Sequence, residues 1–309
     1  GLVAPLYLPW GYGVKMFYIR YLLFIVCSSF ICFGNATDNS EEFKLMHIGN
    51  SFSNNSTEYL SQLAEAGGKK ITIYAATKGG CSLQCHADFL QLAQQNKPEG
   101  ITYNVTPALK NHYGAMRSIS LIDALKAEQW DFITIQQASR QSINIDSFEP
   151  YGGKLIEQIK SNAPSASIMV HKTWAYHDEH RMLKEQGEGP ANHLAMHQEL
   201  SEAYQQFAAK YELPLIPSAD AMSLAYQQLS RTDTGPRMQY IRFSSNSLYD
   251  NDGAHLGVAG KYLTASVWYE VLFNESVVHV DFVPEELDVD FARQLRELAH
   301  KVVQQRKGL

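Results

Sequence analysis

The chain has 309 residues, of which 45% are hydrophobic and 19% charged, ordinary proportions for a protein that buries one sizeable core. Its formal net charge is −6 and no Lys/Arg-rich block or stripe occurs, which argues against nucleic acid as a partner. No internal repeat or low-complexity tract appears, so a single large domain over residues 37–309 is the simplest organisation.

The first 36 residues read differently. Lys15 and Arg20 precede a mostly apolar run from Tyr21 to Phe33, and Gly34-Asn35-Ala36 supplies small residues at the −3 and −1 positions of a cleavage site. That is the three-part layout of a secretory signal, with Met16 as the natural start, residues 1–15 as an upstream extension, and cleavage expected near Ala36. Export to a periplasmic or extracellular compartment follows. The competing reading is an uncleaved anchor, although the run is short of the roughly 20 residues of a comfortable span. Cys27 and Cys32 would leave with the signal, and Cys32 lacks the small preceding residue of a lipoprotein site. Cys81 and Cys85 remain, four positions apart, where a disulfide is geometrically tight and the spacing leaves pairing open.

From residue 43 onward, short apolar runs alternate with amphipathic stretches. Strands are predicted at Phe43 to Ile48, Ile71 to Ala75, Phe132 to Gln136, Ser167 to His171 and Leu213 to Ile216, each nearly continuous in apolar character, as in strands covered on both faces. Helical spacing marks Leu60, Leu63 and Ala64; Ile119, Ile122 and Leu125; Leu155, Ile156 and Ile159; Leu200, Ala203, Tyr204, Phe207 and Tyr211, with Pro190 near the start; and Val258 to Leu272. After a polar linker from Pro284, Phe291, Leu295, Leu298 and Val302 share one face of a last packing helix. Such alternation predicts a parallel sheet between two helix layers.

Ligand sites in such sheets lie outside the carboxyl ends of the strands. Ser51, in Gly49-Asn50-Ser51-Phe52-Ser53, follows the first strand; Gly79-Gly80 follows the second; Gln136-Gln137 closes the third. Asp252-Gly253-Ala254-His255 precedes the Val258 helix and can reach the same edge. A serine hydroxyl becomes a strong nucleophile when a histidine takes its proton and a carboxylate orients that histidine, roles that Ser51, His255 and Asp252 can fill. Gly49 permits a sharp turn, and unpaired N–H groups at the following helix start face a developing oxyanion. The structural alternative is an ordinary turn, with Asn55 and Glu58 capping the helix.

His171, His177 and His180 cluster near Asp178 and Glu179, but without zinc-ligand spacing, so a solvated polar loop at the site mouth is expected in preference to a metal centre. Trp174, Tyr176, His177 and Tyr249 are available as a sugar-stacking rim or as packing residues.

With these blocks in place, the chain resembles the SGNH, or GDSL-like, hydrolase superfamily over most of its length. The first block is the Gly49-x-Ser51 turn, with Asn50 where many members have Asp; the last is Asp252-x-x-His255. The resemblance implies a three-layer, flavodoxin-like α/β/α sandwich with a mainly parallel five-stranded sheet. It implies a Ser51–His255–Asp252 triad and an oxyanion hole formed by the Ser51 and Gly80 N–H groups, with Gly79 as fallback. Where the family carries Gly-x-Asn-Asp, this chain has Gln136-Gln137-Ala138, similar to a Gln-Gly-Glu variant of some sugar O-acetyl esterases except that Ala138 replaces the glycine. Gln137 is accordingly expected to supply the third oxyanion donor, with Gln136 the alternative. The activity implied is removal of small acyl groups, acetyl foremost, from a carbohydrate or other small ester, with no metal or organic cofactor. A lipase or thioesterase with the same triad, a non-catalytic glycan-binding module, and a metal-dependent phosphodiesterase using the histidine cluster are the alternatives.

Overall fold

The protein is represented by a computed structural model that describes residues 42–114, 116–184, 189–231 and 247–307. The proposed leader falls outside them. A five-stranded parallel sheet forms the centre, from β1 (Glu42–Gly49), β2 (Lys70–Thr77), β5 (Phe132–Ile135), β6 (Ser167–His171) and β7 (Leu215–Ile216), in the order β2-β1-β5-β6-β7. All neighbours pair parallel, so the three-layer α/β/α fold is the one expected.

The strands are apolar because both faces are covered. In β1, Leu45 and Met46 are fully buried although they point to opposite sides. One helix layer contains α3 (Leu83–Gln94), α5 (Leu121–Ala127) and α6 (Tyr151–Asn162), which pack on one another. The other contains α1 (Ser51–Thr57), α2 (Leu60–Ala66), α9 (Ser218–Arg231), α10 (Val258–Phe273) and α11 (Val289–Lys307). The long helix α8 (His193–Lys210) meets α9 and sets Phe207 so close to Gly152 of α6 that no Cβ would fit there. Helix α10 is apolar nearly all round and correspondingly buried nearly all round, from Ala259 to Leu272, because α1, α2, α9 and α11 surround it.

One expected element changes character. Ile119 belongs to β4 (Ser118–Ser120), which pairs antiparallel with β3 (Ile101–Asn104); the helix begins only at Leu121. Ser120 and Asp123 close a reciprocal capping box there, satisfying the first helical N–H groups, and that local bonding outweighs the apolar spacing of Ile119 with Ile122 and Leu125.

In chain order the sheet grows outward from β1 to β2 and then returns to the other side of β1 at β5. The carboxyl ends of β2, β1 and β5 therefore lie side by side at the point where strand order reverses, the position at which open α/β sheets bind ligands.

Candidate active site

Three loops meet at that edge, and a web of buried amides ties them. Asn50 is the cap of α1: its Oδ1 accepts the Phe52 N–H at 3.0 Å. The same oxygen accepts from Gln136 Nε2 at 2.9 Å, and Asn50 Nδ2 donates to the Cys81 carbonyl at 3.1 Å. Ser53 closes the web by donating its hydroxyl to Gln136 Oε1. Asn50 thus clamps the ends of β1, β2 and β5 together, and it needs its amide nitrogen to do so. An aspartate would have no hydrogen to offer the Cys81 carbonyl. The alternative Asn55 cap is not formed; Asn55 sits inside α1, and its Oδ1 accepts the Leu256 N–H at 3.0 Å, joining the helix to the distant Asp-x-x-His loop.

Gly49 is required by space. A Cβ there would lie 2.6 Å from Ser53 Oγ and 2.7 Å from Gln136 Cγ, so a side chain would push the web apart. Gly80 is required by conformation, with φ at +65°, a region that L side chains rarely adopt. Beyond it, Cys81 and Cys85 form a disulfide, Cα atoms 5.4 Å apart, that anchors the Gly80 loop to the first turn of α3.

Ser51 is the first residue of α1, and its Oγ lies 2.8 Å from His255 Nε2. His255 Nδ1 lies 2.5 Å from Asp252 Oδ2, while Asp252 Oδ1 accepts the N–H groups of Ala254 and His255, both at 2.8 Å. A carboxylate only accepts, so Nδ1 carries the proton and Nε2 is left to accept the Ser51 hydroxyl. Burial alone would raise the Asp252 carboxyl, but the His255 hydrogen bond and the two backbone donors outweigh it and hold the group below the usual carboxylate range. Phe52 fixes the imidazole from the side: its ring meets the His255 ring edge-on at 5.5 Å and stacks on buried Trp174 at 4.3 Å. Trp174 Nε1 in turn donates to the Ala254 carbonyl at 2.8 Å, locking the loop that carries the histidine.

Ser51, His255, Asp252 and Gly80 line one open cleft of about 380 Å³. Among the described residues no protein acceptor takes the N–H of Ser51 or Gly80, so both are free to serve an oxyanion in the cleft.

Gln137 requires a correction. Its Nε2 donates to the Ser147 carbonyl at 2.8 Å and to Ser147 Oγ at 3.1 Å, while its Oε1 accepts the N–H groups of Leu83 and Ala138, at 3.0 and 2.8 Å. The side chain is wholly buried and points away from the cleft, its hydrogen bonds already made. Gln136, the alternative, is equally committed to Asn50. Both amides are turned into the protein interior, and neither glutamine lines the cleft.

The histidine cluster is also dispersed. His171 ends β6 in the core, its Nε2 3.2 Å from Ser56 Oγ and its ring packed on Trp268; His177 and His180 are buried near the cleft, not solvated. Among the described residues no group of three His, Cys, Asp or Glu side chains is placed to hold a metal ion. Trp174, His177 and Tyr249 are packing residues with almost no exposed surface, and of the four proposed rim residues only Tyr176 borders the cleft.

Sequence reasoning missed His86. Its Nε2 donates to the Gly49 carbonyl at 2.9 Å and its Nδ1 accepts from Tyr103 OH at 2.7 Å, so it braces the nucleophile turn from beneath in the neutral form, burial pushing its pKa down to about 4. It also missed Arg140, which lines the cleft.

Residues 44–302 match the model of a family described as a domain of unknown function, DUF4886. A DUF4886 family protein from Bacteroides uniformis is similar in structure, with 26% identity over 85% of this chain and 95% of its own, at a TM-score of 0.64. A member of the lipolytic protein G-D-S-L family from Veillonella parvula shares 11% identity over 75% of this chain and all (100%) of its own, at 0.42. The psychrotrophic esterase EstA from a Pseudoalteromonas species shares 11% identity over 75% and 97%, at 0.41. No curated protein matches. A family model spanning nearly all of the described residues decides the assignment: the chain belongs to the DUF4886 family, with a three-layer α/β/α fold around a five-stranded parallel sheet.

Proposed function

We propose that this protein is a serine hydrolase that cleaves small carboxylic esters, acetyl esters of carbohydrates foremost, through Ser51, His255 and Asp252. The observation that carries the proposal is the continuous hydrogen-bonded chain from the Ser51 hydroxyl through the imidazole to Asp252, beside two unengaged N–H groups in an open cleft. In the reaction, Ser51 Oγ bonds to the acyl carbon as His255 Nε2 takes its proton; the imidazolium then protonates the departing alkoxide. Asp252 keeps the ring in the reactive tautomer and stabilises its charged form. The N–H groups of Ser51 and Gly80 receive the tetrahedral oxyanion. Water, deprotonated by the same imidazole, then releases the acid and restores Ser51.

A small acyl group suits an open cleft of about 380 Å³ better than a long chain, which needs an apolar tunnel. Export is the proposed setting, supported by the signal-like start and by the Cys81–Cys85 bond, which persists in oxidising compartments.

A fluorophosphonate probe should label wild type at Ser51, and Ser51→Ala should lower hydrolysis of 4-nitrophenyl acetate by about three orders of magnitude or more. Undiminished turnover in that variant, or labelling elsewhere, would overturn the assignment.

A further inference from the structure

The cleft that holds the triad also holds a cation. Arg140 stands in the loop after β5, exposed, and is the only Lys or Arg among the described residues lining that space. The protein carries more acidic than basic side chains, 32 against 26, and several described lysines and arginines meet a carboxylate, among them Lys44 with Glu128, Lys69 with Glu275, and Lys172 and Arg306 with Asp220. Arg140 has no ion pair among the described residues. Asp252, the acid sharing the cleft, has both oxygens committed to His255, Ala254 and its own loop.

The cation is also held in place. The Arg140 guanidinium lies near enough to the Tyr176 hydroxyl to favour its ionised form against burial, and that hydroxyl is 2.5 Å from Ser139 Oγ. The loop itself is braced from behind: Gln141 and Ser142 N–H groups return to the Ala138 carbonyl, Ser147 Oγ donates to the Gln141 carbonyl at 2.7 Å, and Gln137 grips Ser147. The two-glutamine strand end therefore fixes the loop that presents Arg140. A guanidinium placed in this cleft with no ion pair among the described residues is a fork for a planar anionic group, because carboxylate oxygens match its N–H geometry in pairs.

We propose that Arg140 is the specificity residue of this cleft and that the natural substrate carries a carboxylate beside the scissile ester. This inference rests on the ester hydrolysis proposed above. The carboxylate can belong to the alcohol part, as in an acylated sugar acid, or to the acyl part, and two matched pairs separate the sources. Acetylated methyl glucuronoside is compared with acetylated methyl glucoside, and mono-4-nitrophenyl succinate with 4-nitrophenyl butyrate. Wild type should favour the anionic member of at least one pair by about 10- to 100-fold in kcat/KM, Arg140→Ala should bring that ratio close to one, and Arg140→Lys should restore part of it. Binding of the same uncleaved esters to Ser51→Ala protein, by titration calorimetry, gives a readout independent of turnover. A tenfold tighter dissociation constant for the anionic member, lost in the Ser51→Ala, Arg140→Ala double variant, supports the proposal even if hydrolysis fails. Equal affinities and equal rates within both pairs overturn it, even if hydrolysis by Ser51 is confirmed.

Discussion

The two halves of the proposed triad are held in opposite ways. On the Ser51 side, Asn50, Ser53 and Gln136 are almost completely buried and hydrogen bond one another, and buried Gln137 holds Leu83, Ala138 and Ser147, so Ser51 sits on a turn that cannot shift without breaking several hydrogen bonds. On the base side, the side chains of Asp252 and His255 are 50% and 39% exposed, and the loop is positioned by its own backbone turns, by Trp174 and by Asn55. Ser51 is built onto the end of a sheet strand; His255 is brought to it from a loop some 200 residues later. Rigid placement where the covalent bond forms and looser support where a proton is relayed is an economical division, since only the first demands exact approach to the acyl carbon.

Breaking the base side should cost the most in rate. Asp252→Asn keeps the size of the side chain but presents an amide to the imidazole and favours the wrong tautomer; a loss on the order of 10⁴ in kcat with little change in thermal midpoint is expected. A fall of less than tenfold would mean that the half-exposed carboxylate contributes little.

Acid should strike the nucleophile side. His86 holds the Gly49 carbonyl, His171 lies against Ser56 and His47 against Thr57 of α1, and all three are fully buried. Burial pushes His47 and His171 to about 3 and His86 to about 4; burial likewise takes His193, beside Tyr226, to about 4. In the unfolded chain each titrates near 6.5 (about the model-peptide value), so between about pH 6.5 and pH 4 the unfolded state binds more protons. Stability should therefore fall on acidification through that window, by up to about 1.4 kcal/mol per pH unit for each such histidine. Urea midpoints measured across the range test this, and a flat profile would contradict the neutral, buried assignment.

Gln137→Ala separates structural from chemical roles. Removal of its amide strands the Leu83, Ala138 and Ser147 backbone groups, and a destabilisation of about 1–3 kcal/mol is expected. Turnover of a neutral acetyl ester should fall far less than the 10² to 10³ that loss of a true oxyanion donor produces. A drop of that size without loss of stability would return Gln137 to the oxyanion hole. The smallest effect expected is from Asn50→Asp, which keeps the cap on Phe52 but loses the donor to Cys81: about 1 kcal/mol of stability.

Much of this was legible before any coordinates. Strand apolarity located all five central strands to within two residues, because strands covered on both faces have no polar alternation to confuse the pattern. The failure at Ile119 came from an apolar residue whose helical spacing was overruled by a capping box one position later. Gly-x-Ser and Asp-x-x-His singled out Ser51, Asp252 and His255, three side chains that the fold brings into one hydrogen-bonded chain, since each of the roles proposed for them requires a particular functional group. The amide residues were illegible for the converse reason. An amide can donate or accept in any direction, so nothing in Gln136-Gln137 distinguishes a donor facing the cleft from a brace facing the interior.

What the sequence determined by itself was the periodicity of burial and the chemical inventory at the strand ends, both local properties of residue type and spacing. Only the tertiary structure decided where each group points: His171 into the core, Gln137 toward Ser147, Cys81 to Cys85, and Arg140 into the cleft. Direction depends on partners far apart in the chain, and the partner that satisfies a buried polar atom becomes known only when distant segments are packed together.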